Sequence, residues 1–278
     1  MAASKSAREP SVKPFLRWPG GKRWLAPIVA RYVTRHLAGT YREPFLGGGA
    51  VFFDFRPPQA TLSDVNEDLV LTYEIVRDKL QDILPLLESM PISQQYYNAL
   101  RKCQPGAPLD RAARFLYLNR VAFSGIYRVN SKGQFNVPFG GDRGLNVFWR
   151  DGLLNKASMA LKNTQLRSYD FRHALVQCAE GDVAYCDPTY TVRHDNNGFI
   201  RYNERNFSWS DQLRLAKAAQ RAADRGAVVI ISNAHHAEVR ALYRTAITRT
   251  VCRNSLLAAN STGRQPVKEH LFILGQRR

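Results

Sequence analysis

Apolar positions along this chain switch repeatedly between a helical and a strand-like period. After Pro19-Gly20-Gly21, the spacing of Leu25, Ile28, Val29 and Tyr32 predicts a helix over residues 22–33. Residues 41–46, followed by Gly47-Gly48-Gly49, read as a short strand, a tight loop and a helix start. A second strand over 60–63 ends at Asp64. Residues 67–90 carry a helical stripe (Leu69, Leu71, Ile75, Val76, Leu80, Ile83, Leu84, Leu87) that Pro85 should bend or break. The middle predicts an amphipathic helix over 111–122, a hairpin over 124–144 rich in Gly, Asn, Ser, Arg and aromatics, and a further helix over 147–161. Strand and helix then alternate: strands at 165–168, 183–186 and 228–231, helices at 210–225 and 237–243, and closing strands at 245–252 and 271–274. Alternation at both ends predicts an α/β sheet with helices on both faces. The middle is then an insertion. On this reading residues 13–66 and 154–278 form the sheet domain, 67–153 the inserted domain, and 1–12 a loose basic arm.

At 278 residues and 45% apolar content the chain can bury a sizeable core and is too apolar to remain disordered. No apolar run approaches the roughly 18 residues that cross a bilayer. The opening residues lack the apolar stretch of a secretory signal, so a cytoplasmic location is expected. Cys103, Cys178, Cys186 and Cys252 form no C-x-x-C pair and have no histidine cluster beside them. Reduced thiols follow, with neither disulfides nor a metal site. The formal charge of +17 and a pI near 10.1 point to a polyanionic partner. That charge is segregated. Residues 61–100 hold seven acids against two bases, whereas 101–172 hold thirteen bases against four acids. Such a split suits a chain with one region facing phosphates.

Six segments carry candidate chemistry. Glu43-Pro44-Phe45-Leu46-Gly47-Gly48-Gly49 places a glycine loop at the end of the first strand, where open α/β sheets bind nucleotide-like ligands. It matches neither G-x-G-x-x-G nor a phosphate-binding loop with its lysine, which disfavours dinucleotides and ATP. Asp64, ending the second strand, either accepts ribose hydroxyls or caps the next helix. Trp18 and Lys22, in Trp-Pro-Gly-Gly-Lys, offer an indole and an ammonium to a small zwitterion. Asp170-Phe171 pairs a carboxylate with a ring, a plausible clamp for an adenine. The stretch from Asn119 to Gly140 interleaves aromatics with Arg and Lys. In it Arg128 suits a guanine edge, Lys132 a phosphate, and Phe123 the gap left by an extruded base. Finally, Asp187-Pro188-Thr189-Tyr190 follows the apolar run Val183–Cys186. A carboxylate, a rigid carbonyl and an aromatic ring at a strand end suit a flat, weakly nucleophilic exocyclic amine.

Taken together and in this order, these motifs resemble the Dam family of DNA adenine-N6 methyltransferases, with the match running over residues 13–275. The resemblance implies a Rossmann-like class I methyltransferase sheet and S-adenosylmethionine as cofactor. It implies that Trp18 and Lys22 hold the methionine part and that Gly47 and Gly49, with Glu43 and Phe45 before them, lie beneath it. Asp64 would bind the ribose, and Asp170 with Phe171 the adenine. Asp187 and the Pro188 carbonyl would accept the target amine's hydrogens, with Asp187 also bordering the cofactor, while Tyr190 would stack on a flipped base. Arg128 falls on the position that contacts the guanine of a GATC-type site, within a hairpin whose Phe123, Ser124, Asn130, Lys132, Asn136 and Pro138 would face duplex DNA. A monomer is implied, with a restriction nuclease as a further partner. Thr189 departs from the family, which usually has a second proline there; it restores an N–H and loosens φ. Two alternatives stand beside this reading: the same amine chemistry directed at cytosine N4 or RNA, and a fold that binds DNA but transfers slowly or not at all because of Thr189.

Overall fold

The computed structural model describes residues 11–125, 127–130, 133–141, 149, 151–191, 207–254 and 266–275. By internal contacts the chain forms two compact units. The first comprises Met1–Ala30, Leu46–Pro58 and Asn66–Ser168; the second comprises Arg31–Phe45, Gln59–Val65 and Tyr169–Arg278. Helix α1 (Ala26–His36) starts four residues later than its apolar spacing suggests and runs from one unit into the other.

The first unit is mostly helical. The helix α2 (Ala50–Phe55) follows Gly49, whose φ of 64° only glycine adopts without strain. The expected long helix is two: α3 (Glu67–Asp78) and α4 (Leu80–Ser89). The break falls at Lys79, not at Pro85. Lys79 leaves helical geometry (φ −130°, ψ 36°) and its carbonyl opens the second helix. Pro85 lies inside α4, where its missing N–H forfeits a single backbone bond. Helix α5 (Gln94–Lys102) escapes the apolar pattern because Tyr97 is its single buried residue; Ser93 caps it by accepting from the Tyr96 N–H at 3.1 Å. Helix α6 (Pro108–Val121) begins on a proline at its first turn and is not a surface amphipath. Ala112, Ala113, Phe115, Leu116, Tyr117, Leu118, Asn119 and Val121 are all buried, so it is the central helix of the unit. A turn of 3-10 helix (Phe123–Gly125) leads into the hairpin region, where the antiparallel bridges Ala122↔Phe139 and Val129↔Phe135 are formed. The segment ends with α7 (Leu153–Leu161) and β3 (Thr164–Ser168). The start of the expected 147–161 helix and residues 1–10 of the expected arm over 1–12 lie outside the described residues; the end of that arm is not loose, since Val12 is buried and its N–H donates to the Phe53 carbonyl at 3.0 Å.

The second unit holds six of the seven strands of a mixed sheet: β1 (Tyr41–Glu43), β2 (Ala60–Asp64), β4 (Val183–Cys186), β5 (Val228–Ala234), β6 (Ile247–Asn254) and β7 (Pro266–Leu274). Their order is β2-β1-β4-β5-β7-β6. The first four run parallel, and β7 is antiparallel to both β5 and β6. The α/β expectation therefore holds. Strand β4 is buried at every position, as its continuous apolar run requires for a central parallel strand. Strands β5 and β7 extend further than apolar character shows, because Ser232, Asn233, Glu269 and His270 are polar residues buried within them. Helices α8 (Phe171–Val176), α9 (Trp209–Asp224) and α10 (Ala237–Leu242) pack Leu175, Leu215, Ala219 and Val239 onto Val229, Ile231 and Phe272 of the sheet.

Candidate active site

Chain order reverses between β1 and β4. From β1 the sheet grows outward through β2, and from β4 through β5. At such a switch point the loops after neighbouring strands diverge and leave a crevice at their carboxyl ends. Glu43 ends β1, Asp64 ends β2, and Asp187 directly follows β4. The local sequence explains these positions. Val183–Cys186 is short, wholly apolar and terminated by Asp-Pro, where the proline cannot continue the ladder.

Each part of the Asp187–Tyr190 loop is held by a different element. The Ser232 hydroxyl on β5 donates to Asp187 Oδ1 at 2.7 Å. Tyr185, two residues before Asp187 on the same strand face, sits 3.0 Å from that same hydroxyl. Gln212 Nε2 on α9 donates to the Thr189 carbonyl at 3.4 Å, and Asn233 Nδ2 donates to Gln212 Oε1 at 2.9 Å. Tyr190 donates its hydroxyl to Glu269 Oε2 on β7 at 2.6 Å. Pro188 is buried, and Thr191 closes the loop by donating to the Phe207 carbonyl at 2.5 Å. Burial, and then the Asp187 charge, push the Tyr185 and Tyr190 hydroxyls well above their ordinary pKa, so both remain protonated donors. On β1 the same device recurs: Tyr41 donates to Glu43 Oε2 at 2.7 Å, with burial and then Glu43 raising the tyrosine. None of Tyr41, Tyr185, Gln212, Ser232, Asn233 or Glu269 stands out in the sequence. The accessible signal is the polar pair Ser232-Asn233 directly after the apolar run of β5.

Asn66, not Asp64, caps α3: its side chain accepts from the Leu69 N–H at 3.1 Å. The capping alternative for Asp64 is thereby removed. Asp170 is itself a cap, accepting from the Arg172 N–H at 3.0 Å. It also pairs with Arg172 Nε at 3.0 Å and Arg214 Nη2 at 2.6 Å. Burial raises its pKa, but the Arg172 N–H and the two guanidinium groups outweigh that and leave it below the usual carboxylate range. Phe171 is 3% exposed; Phe45 stacks on it at 5.4 Å and the Arg214 guanidinium lies 5.2 Å from its ring centre. Asp170 and Phe171 are thus adjacent as expected, already engaged by Arg214.

In the first unit, Trp18 stacks on Tyr127 at 5.0 Å and on Phe115 at 6.4 Å, and its indole covers the glycine run. A Cβ on Gly47 (φ 45°) would meet Trp18 Cδ1 at 2.7 Å and Nε1 at 2.8 Å. The Gly47 carbonyl accepts from Tyr73 at 3.1 Å, and a Cβ on Gly49 would meet that same hydroxyl at 3.1 Å. Lys22 is 6% exposed, and its carbonyl starts α1 by accepting from Leu25 and Ala26.

The hairpin is built around reciprocal bonds. Arg128 Nε donates to Asn136 Oδ1 at 2.9 Å, and the Asn136 N–H donates to the Arg128 carbonyl at 3.1 Å. Asn130 and Gln134 pair through backbone and side chains. Arg128, Asn136 and Pro138 are exposed, Asn130 is half-buried, and Phe123 is 56% exposed. Ser124 is exposed too, in a left-handed turn with φ 55°. Lys132 lies outside the described residues. Beside the hairpin is a cleft of about 460 Å³ that Arg101, Lys102, Arg111 and Arg114 line together with Asp68, which pairs with Arg111 at 2.6 Å. Among the described residues no group of three or more His, Cys, Asp or Glu could hold a metal ion, and no helix is long and apolar enough to cross a membrane.

A parallel sheet with its switch point between β1 and β4, an antiparallel strand beyond β5 and an Asp-Pro-x-Tyr loop after β4 define a Rossmann-like α/β methyltransferase. Residues 18–254 match the family described as D12 class N6 adenine-specific DNA methyltransferase. Relatives agree. The chain is 32% identical over 269 residues to the Type II methyltransferase M1.LlaDCHI of Lactococcus lactis subsp. cremoris, covering 93% of this chain and 94% of that protein. It is 31% identical to the Type II methyltransferase M.MjaIII of Methanocaldococcus jannaschii (82% and 86% covered), and 30% identical to a DNA adenine methylase of Vibrio cholerae (93% and 95% covered). This chain belongs to the D12 class: it is an adenine-specific DNA methyltransferase.

Proposed function

We propose that the chain transfers methyl from S-adenosylmethionine to the adenine N6 amine of a GATC-type duplex site, after turning the base out of the helix. The observation that carries this reading is the Asp187–Tyr190 loop, tethered at Asp187, Thr189 and Tyr190 at the carboxyl edge of the sheet. The residues present fit a sulfonium nucleoside. Glu43 and Asp64 end adjacent strands and offer carboxylate acceptors, which suit a cation and ribose hydroxyls. Gly47, where a Cβ would collide with the Trp18 indole, keeps its backbone available for close approach.

When bound, the donor supplies an electrophilic methyl group on sulfur. The chain's own residues prepare the amine. Adenine N6 gives its lone pair to the ring and is a poor nucleophile. Asp187 and the Pro188 carbonyl accept its two hydrogens, which returns density to nitrogen and orients it for in-line attack. Tyr190, its hydroxyl held by Glu269, presents its ring for stacking on the extruded base. We assign Trp18, Lys22, Phe45, Gly47 and Gly49 to the methionine side, and Asp170 with Phe171 to the adenine end. On the DNA side, Arg128 reads guanine, Phe123 fills the vacated stack, and Ser124, Asn130, Lys132, Asn136 and Pro138 line the same face. The basic cleft supports a phosphate-facing surface. The protein is read as a cytoplasmic monomer, with a restriction nuclease as a candidate partner.

The test is direct. Purified protein with methyl-labelled S-adenosylmethionine is given a duplex carrying one GATC site and another with that site scrambled, and the products are digested to nucleosides. Label in N6-methyldeoxyadenosine from the GATC duplex alone is expected. Label in cytosine, or equal label in both duplexes, would refute the specificity.

A further inference from the structure

We propose that Ser232 and Tyr185 are positioning residues for catalysis, forming a directional relay that orients the Asp187 carboxylate toward the target amine. The inference rests on the role given to Asp187 above. A carboxylate only accepts, so the single hydroxyl hydrogen of Ser232 points to Asp187 Oδ1, 2.7 Å away. The Ser232 oxygen then accepts, and Tyr185, 3.0 Å away, must be the donor. The direction is fixed: Tyr185 to Ser232 to Asp187. Tyr185 is 1% exposed and Ser232 is fully buried, so water does not compete at either hydroxyl.

The register makes this arrangement a property of the sheet rather than of a flexible loop. Tyr185 pairs with Ile230 across β4 and β5. Asp187 lies two residues beyond Tyr185 and Ser232 two beyond Ile230, so with a period of two all point to one sheet face. Asp187 itself lies past the last residue of β4, where the ladder no longer determines its side chain. The relay extends the rigidity of the strands by one residue. With Oδ1 held, rotation of the carboxylate is restricted, which narrows the directions open to its other oxygen. A carboxylate rotating freely would lose the orientation that in-line attack needs.

Steady-state kinetics of S232A, Y185F and the double variant, beside the wild type, test the relay. Loss of a hydrogen bond to a charged group is expected to lower kcat in S232A by about tenfold to a hundredfold. KM for DNA and cofactor should stay within about twofold, because Asp187 orientation matters in the transition state rather than in binding. Y185F, which keeps the ring, should lower kcat by less, and should cost nothing further in the S232A background. S232A retaining a third or more of wild-type kcat, or losing kcat only with a matching loss of melting temperature, overturns the proposal. So does a Y185F effect that multiplies with S232A. A wild type that leaves adenine unmethylated would instead sink the reading of Asp187, and the control arm reveals that separately.

Discussion

Gly47→Ala isolates the contact between the glycine run and Trp18. At φ 45° an alanine pays a left-handed penalty of about 1–2 kcal/mol. Its Cβ would also arrive 2.7 Å from Trp18 Cδ1 and 2.8 Å from Nε1, distances that force the indole to move. That indole is wedged against Tyr127 and Phe115, so displacement is overpacking, at roughly 1–3 kcal/mol. Reduced freedom of the unfolded chain returns about 0.4–1 kcal/mol. The net is a loss of about 1–4.6 kcal/mol, which at about 2 °C per kcal/mol is roughly 2–9 °C in melting temperature for a chain of this size. Gly48→Ala is the internal control. Gly48 lacks a left-handed φ, and its Cβ would meet Trp18 Cβ at 3.2 Å, a contact a slight shift relieves. Thermal unfolding followed by circular dichroism compares the two, and calorimetry with S-adenosylmethionine reports cofactor affinity. Gly47→Ala should melt clearly below Gly48→Ala and, on the proposed role of Trp18 at the methionine part, bind cofactor at least about tenfold more weakly. Equal melting temperatures would show that Trp18 does not rest on the glycine run.

Asp170 and Asp211 are both held below the usual carboxylate range: burial raises each, and hydrogen bonds from neighbouring groups, Arg214 among them, outweigh it. Depressed carboxylates stabilise the fold at pH values above their unfolded pKa, and that contribution disappears as pH falls through the folded value. Melting temperature should therefore drop steeply as pH falls below about 3.8, and less steeply in Arg214→Ala; parallel curves would exclude the pairing as the cause. Asn66→Ala removes the cap of α3 and should cost about 1 kcal/mol, roughly 2–4 °C, measured by the same melts. Phe123→Ala removes a ring that is 56% exposed. It should leave melting within about 1 °C while reducing the fluorescence rise of 2-aminopurine at the target position. An unchanged rise would remove Phe123 from the role of filling the vacated stack.

The candidate motifs were legible in the sequence because they are local: Trp18 to Lys22, Glu43 to Gly49, and Asp187 to Tyr190 are each continuous. Elements with a clean period, such as β4 and α9, were also legible to within a residue. Elements built on few buried positions were not. The single buried Tyr97 hid α5, and buried polar residues hid the extent of β5 and β7. Likewise, Pro85 reads as a helix breaker, yet the helix breaks at Lys79, since one missing backbone bond is a smaller cost than the pattern suggests.

Sequence by itself determined the class of reaction, since residue type and order carry it directly, and it marked the Asp187–Tyr190 loop as the candidate for that chemistry. Only the tertiary structure decided what holds that loop. Ser232 lies 45 residues from Asp187, and Glu269 lies 79 residues from Tyr190. Such partners are chosen by strand order and register, which bring distant polar side chains into a buried setting where each hydroxyl must find its acceptor. No local pattern records that choice.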